Sequence, residues 1–277
     1  MEFKITTLCE NTTPMSMFLL GEHGLSMLIE NGNDKILFDT GQTNTLIHNS
    51  RFLGIDLTKI NKVVLSHGHF DHTGGLFELL KINKNIEIYA HPDIFYPPKY
   101  VIRRGNEIYI GPPVKKEELE KEGIKVNLSK EPMKINDYIM TTGEVPRKTD
   151  FEEIEKELLI REGNELKKDP LLDDLSLILK TDKGIVVLLG CAHSGVINIL
   201  NYVKELTEDE KIFGLIGGMH LEGKNQKQLG RIVEHLHKFN IQKIGPSHCT
   251  GFSASKLLSQ EFDEEFFLNC VGRISNF

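Results

Sequence analysis

Between residues 66 and 75 the chain reads Ser-His-Gly-His-Phe-Asp-His-Thr-Gly-Gly. Three imidazoles and a carboxylate fall within six residues, His67 to His72. Imidazole nitrogen and carboxylate oxygen suit a borderline divalent ion such as Zn²⁺. In a tight loop His67 and His69 can meet one metal. Asp71 and His72 point elsewhere and can meet a second ion a few ångströms away, as two-metal sites require. Histidines packed this densely without a ligand role are rare, so a merely polar loop is the weaker reading. Gly68, Gly74 and Gly75 leave room for tight turns and close backbone approach.

The elements that must position this cluster follow from the hydrophobic pattern. Lys62-Val63-Val64-Leu65 is a short apolar run, so the cluster begins where a buried strand opens into a loop. Phe3–Leu8 reads as a first strand, and Phe18–Leu20 with Ser26–Glu30 as a strand pair about the turn 21–24. Lys35–Phe38 is a buried strand ending in Asp39 and a glycine turn. Asn44–Leu53, Leu76–Ile82, Val196–Leu206 and Lys227–Phe239 have helical spacing, and Phe252 opens a closing helix. Ile86–His91 is a strand, and His91 at its end reads as structural. Leu175–Leu179 and Gly184–Gly190 form a hairpin, followed by strands over 212–221 and 241–247. Each of these strands ends in a chemically useful residue: Cys191 and His193, then His220, then His248. The segment 92–113 is rich in proline, with Tyr100, Tyr109, Arg103 and Arg104 among its residues. It reads as a long loop offering either an aromatic wall and cations for a flat phosphorylated ligand, or ordinary solvated charges. From Arg147 to Asp174, 16 of 28 residues are charged, with Phe151, Ile154, Leu158 and Leu159 at helical spacing. That predicts an amphipathic helix and a polar loop, and the region 92–174 is a candidate insertion or lid within one domain of residues 1–277.

The pattern His67-x-His69-x-Asp71-His72 after a strand resembles that of the metallo-β-lactamase superfamily. The resemblance implies an α/β (α+β) fold, a four-layer αββα sandwich with one or two metals at the sheet edges, and most often hydrolysis by a metal-bound hydroxide. It implies that Asp39 orients the metal loop rather than binding metal, and that His248 is the superfamily's final histidine. Two departures stand out. Glu144 occupies the place of a third histidine, as a ligand or as an acid, base or substrate acceptor. Cys191 occupies the place of a bridging aspartate, with His193 two residues on. The expected metal ligands are therefore His67, His69, Asp71, His72, Cys191, His193 and His248, and the expected catalytic groups are Asp71, Glu144 and His220. One or two divalent ions are expected, zinc first, with manganese or iron as alternatives. The segments 38–43, 143–147, 190–195 and 217–221 look like the branch of dihydropterin-ribofuranosylaminobenzene-phosphate synthase-like proteins. That branch joins a pterin diphosphate to an arylamine ribosyl phosphate. A hydrolase of a phosphoester, thioester or lactone, and a metal or nucleotide sensor without turnover, are the competing readings.

Composition narrows the field. The chain of 277 residues, 39% hydrophobic and 26% charged, is that of an ordinary globular protein. A net charge of −7 argues against a nucleic-acid partner. No apolar run reaches the ~18 residues of a membrane span. The N-terminus lacks a secretory pattern, and the four scattered cysteines read as reduced thiols of a cytoplasmic protein. The expected partner is a phosphorylated small molecule, with neither nucleic acid nor membrane.

Overall fold

Strands covered on both faces read as near-continuous apolar runs, and the alternation along them says which layer each side chain enters. The computed structural model, which describes residues 1–15, 18–32, 34–153 and 155–277, shows how these runs assemble. The first part of the chain forms β1 (Lys4–Cys9), β2 (Ser26–Asn31), β3 (Asp34–Phe38), α1 (Thr45–Phe52), β4 (Lys62–Val64), α2 (Phe70–Thr73), α3 (Leu76–Ile82) and β5 (Glu87–Ala90). The middle forms β6 (Lys99–Arg103), β7 (Asn106–Tyr109), α4 (Lys116–Lys121), β8 (Lys125–Leu128), β9 (Ile139–Thr141), β10 (Leu158–Glu162) and β11 (Glu165–Lys168). The last part forms β12 (Leu177–Thr181), β13 (Gly184–Leu189), α5 (Val196–Leu206), β14 (Ile212–Gly218), α6 (Gln226–His237), β15 (Lys243–Ser247), α7 (Phe252–Glu261) and β16 (Ile274–Asn276).

One sheet has the order β16-β1-β2-β3-β4-β5-β8, and a second has β15-β14-β13-β12-β9. Ile36 and Phe38 of β3 meet Leu177, Leu179, Val186 and Leu188 in the core between the sheets. Leu37 faces the opposite way, toward Leu46 of α1 and Leu76 and Leu79 of α3. Val187 and Leu189 of β13 face Leu200 of α5, Ile232 of α6 and Leu258 of α7. Helix, sheet, sheet, helix is the expected four-layer sandwich. Both sheets change from antiparallel to parallel pairing: β3, β4, β5 and β8 run parallel, as do β13, β14 and β15. Their carboxyl ends, where open α/β sheets bind ligands, carry the candidate residues.

Three expectations change. Phe18–Leu20 is not a strand, because the Asn49 amide bonds the backbone of Leu20 through both its N–H and its carbonyl. The segment 92–113 is not an irregular loop: β6 and β7 pair as a hairpin whose turn puts Arg104 at φ 51° and Gly105 at φ 77°. The helix read over 151–159 is absent, with Ile154 outside the described residues. β10 and β11 form a hairpin about Gly163-Asn164, a turn dipeptide that outranks the apparent helical spacing. β11-β10-β6-β7 form a third, four-stranded sheet, while β8 and β9, from the same 92–174 stretch, extend the two main sheets.

Candidate metal centre

Four residues at the carboxyl ends of strands hold left-handed backbone conformations that only glycine adopts cheaply. They are Asp39 at φ 58°, Ala192 at 57°, His220 at 48° and His248 at 53°. Each costs on the order of 1 kcal/mol or more and persists where its surroundings over-determine it. All four turn the chain sharply at one rim, and the site is built there.

Asp39 is the first support. Its Oδ1 accepts the Ser66 N–H at 2.7 Å, and its Oδ2 accepts the Ser66 hydroxyl at 2.7 Å and the His72 Nδ1–H at 2.7 Å. Because the Ser66 hydroxyl donates to Asp39, its oxygen accepts from His67 Nδ1 at 2.9 Å. Gly190 must lack a side chain here, since a Cβ would lie 2.2 Å from the Ser66 hydroxyl. The network thus turns the Nε2 atoms of both His67 and His72 inward. The same logic recurs elsewhere. His193 Nδ1 bonds Glu155 at 3.2 Å, and His248 Nδ1 bonds the Asn11 carbonyl oxygen at 2.9 Å. An imidazole fixed through Nδ1 and open at Nε2 is the usual state of a metal ligand.

The open atoms form two groups. His67, His69 and His193 bring ligand nitrogens within 4.8 Å of one another. Their ring centroids are 4.6 to 5.0 Å apart. The Nε2 of each is buried without a hydrogen-bond partner among the described residues. Burial, then the neighbouring imidazoles, push His67 and His69 well below the usual histidine range, so both are neutral. In the second group His72 Nε2 lies 3.2 Å from Cys191 Sγ, 3.2 Å from His248 Nε2 and 3.8 Å from Asp71 Oδ2. Burial would lower His72, yet Asp39 and Asp71 push it up to about 9. Burial would raise Asp71, yet His72, His23 and His248 hold it well below the usual carboxylate range. Burial pushes the Cys191 thiol up. Three buried, unpartnered imidazole nitrogens facing one another, beside a set of nitrogen, sulfur and oxygen ligand atoms, fit two divalent ions: one on His67, His69 and His193, the other on Asp71, His72, His248 and Cys191.

Among the expected ligands, all seven converge. Glu144 does not join them: its Oε1 accepts from His91 Nε2 at 3.0 Å and pairs with Lys130 at 3.0 Å. Its backbone N–H is tied to the Lys130 carbonyl, which turns the side chain toward His91. His220 sits on the rim, its ring 4.4 Å from His193 and its Nε2 3.1 Å from Glu155. Sequence reasoning missed Glu155, which bridges His193 and His220 and is held at about 2 chiefly by His193, against burial. It also missed His23, whose Nε2 lies 3.2 Å from Asp71 and whose ring lies 4.8 Å from that of His248. His23 is largely exposed, with 61% of its side chain in solvent, so it marks the open mouth of the centre. The turn Glu22-His23-Gly24 was visible, but nothing local said that it packs on the metal loop.

A two-sheet sandwich with clusters of candidate metal ligands at its strand ends points to a class of divalent-metal-dependent enzyme. The chain belongs to the metallo-β-lactamase superfamily, whose family description matches residues 20–208. It is 35% identical, over 99% of its own length and 96% of the relative's, to the 7,8-dihydropterin-6-methyl-4-(β-D-ribofuranosyl)-aminobenzene-5'-phosphate synthase of Methanocaldococcus jannaschii. It is 36% identical to an uncharacterized protein of the same organism, with 98% of each chain covered. Among solved structures it is similar to Tm1679, described as a metal-dependent hydrolase of the β-lactamase superfamily. That likeness has a TM-score of 0.84 and 27% identity, over 99% of this chain and 98% of that one. The chain is thus a superfamily enzyme that binds divalent metal and acts on a small molecule. Among the described residues no helix is long and apolar enough to cross a membrane.

Proposed function

We propose that this chain is a zinc-dependent pterin transferase that makes the compound named for its methanococcal relative. The observation that supports this reading is the likeness to that synthase along essentially the whole chain. In the proposed reaction the nitrogen of the arylamine ribosyl phosphate attacks the methylene carbon of the dihydropterin diphosphate. A C–N bond forms, the C–O bond to diphosphate breaks, and the amine gives up one proton. Divalent ions bound at the two subsites would supply positive charge for the departing diphosphate oxygens.

The chain's own residues do the rest. His67, His69 and His193 hold one ion; Asp71, His72, His248 and Cys191 hold the other. Asp71 binds and orients, since its strongly lowered carboxyl is a poor base near neutral pH. His220 is the better-matched proton carrier. Burial pulls it down, but Cys249 and Glu155 push it up to about 8. Glu144, paired with His91 and Lys130, stands outside this scheme.

The test is metal-loaded protein incubated with both substrates and read by chromatography and mass spectrometry. Coupled product and diphosphate should appear in equal amounts. Diphosphate release without the arylamine adduct would make the enzyme a hydrolase, the reading that Tm1679's description favours.

A further inference from the structure

The tripeptide Asp173-Asp174-Leu175 joins the two histidine loops that come from opposite sheets. Asp173 Oδ2 accepts the Gly68 N–H at 2.7 Å, between His67 and His69. Asp174 Oδ2 accepts the Ser194 N–H at 2.8 Å, next to His193. The Leu175 N–H donates to the Ser66 carbonyl at 2.9 Å. Both aspartates are 1% exposed. The open Nε2 atoms have no hydrogen-bond partner among the described residues, so neither aspartate is bonded to them.

The clasp is itself held. Lys99, 2% exposed, places its Nζ 3.0 Å from Asp173 Oδ1 and 2.8 Å from Asp169 Oδ2. A buried ammonium between two carboxylates balances the charge that Asp173 brings inside. Packing around Gly68 is equally close, since a Cβ there would lie 2.5 Å from the Ile94 carbonyl and 2.8 Å from Lys99 Cε. Asp174 is held differently. Burial pushes its carboxyl up, and its Oδ1 has no hydrogen-bond partner among the described residues.

We propose that Asp173 and Asp174 are positioning residues that set the distance between the His67–His69 loop and His193, and so the shape of the first metal subsite. The three ligands of that subsite come from two loops, one on each sheet. A shift of either loop would open the triangle of nitrogens. One short segment, bonded to both loops by charge-assisted hydrogen bonds, removes that freedom. This inference rests on the two-metal reading above and adds the device that makes the first subsite tight.

The test measures metal rather than turnover. Affinity is read by chelator competition, and geometry by the visible spectrum of the Co²⁺-substituted protein. Asp173→Ala and Asp174→Ala should each lower the affinity of one metal by 10–100-fold, the usual cost of losing an outer partner of a ligand, and should alter the Co²⁺ spectrum. Asp174→Asn, which keeps an acceptor for Ser194, should restore most of both. Asp169→Asn breaks the same ion cluster without touching either loop, so it should lower thermal stability and leave metal affinity unchanged. If Asp173→Ala and Asp174→Ala lose stability like Asp169→Asn but keep wild-type affinity and spectrum, the clasp is structural only and the proposal is wrong. If either alanine variant fails to fold, Asp173→Asn decides it, because Asp173 accepts from Gly68 and from Lys99 on separate oxygens and an asparagine offers only one acceptor: lowered affinity and a changed spectrum support the clasp, and wild-type affinity and spectrum overturn it. Absence of bound metal in the wild-type chain would instead overturn the metal reading itself.

Discussion

The two halves of the proposed metal centre are built on opposite principles. The first, His67, His69 and His193, is three imidazoles whose inward nitrogens have no partner among the described residues. The second is a net of mutual contacts: His72 to Cys191, His72 to His248, and Asp71 to His248 and His23. A buried acceptor left unsatisfied costs about 1–3 kcal/mol. The first subsite carries that expense until a cation or another partner satisfies its nitrogens. The second relieves its own, because Asp39 and Asp71 keep a proton on His72 in the absence of metal. One subsite is shaped by what it lacks, the other by what it contains.

The largest expected effect tests that independence. His67→Ala with His69→Ala removes two of the three nitrogens of the first subsite and none of the second. Metal analysis should find about one ion fewer per chain, with the remaining ion held as before. A variant with wild-type metal content would dissolve the distinction, and so would one that loses both ions while still folded.

A smaller effect separates the subsites by their protons. The folded value of His72, about 9, lies above the ~6.5 of an unfolded histidine. Its contribution to the stability of the metal-free protein is therefore whole below about pH 6.5 and is lost as the pH rises through about 9. A cation on Nε2 must displace that proton, and one on Cys191 Sγ must displace another. His67 and His69, already neutral, release none. Calorimetric titration at pH 7 in buffers of different ionisation enthalpy should show at least one proton released per wild-type chain. The same release should persist in the His67→Ala, His69→Ala variant. Release that vanishes with the first subsite would reverse the assignment.

The contrast also explains what could be read in the sequence. The second subsite's core, Asp71 and His72, and the first subsite's His67 and His69 sit in one uninterrupted motif, so spacing alone announced them. Asp39 ends a buried strand, and the superfamily resemblance supplied its role. The supports of the first subsite were not. Asp173 reaches Gly68 across 105 positions, and Glu155, Asp173 and Asp174 lie in the charged run 147–174 that reads as a solvated insertion. Charge density is a sound guide to exposure only until a buried partner is supplied, here Lys99 and the loop N–H groups. A local clue was present: an acidic pair directly before the apolar strand β12. The helix expected over 151–159 failed for a related reason, since a Gly-Asn turn between charged strands leaves little apolar alternation to see.

The smallest expected effect concerns where the centre's positive charge comes from. Arg103 and Arg104 were natural candidates for a substrate phosphate, being cations among aromatics. The structure places them at the exposed end of the β6–β7 hairpin. Tyr100 and Tyr109, the proposed aromatic wall, instead pair with each other across the strands, centroids 5.6 Å apart, with Arg161 over Tyr100. Lys99, at the start of β6, abuts the metal loop, and Arg104 lies five residues further along. At about 3.3 Å per residue that is roughly 16 Å, beyond the ~8–10 Å over which exposed charges interact in physiological salt. Replacing both arginines by alanine should therefore change affinity for a phosphorylated ligand by no more than about 0.5 kcal/mol, the ordinary scale of a surface substitution. Calorimetry with pterin phosphates on metal-loaded protein checks this. A tenfold loss would mean that the hairpin reaches the substrate and shares with the two subsites the work of holding its phosphate.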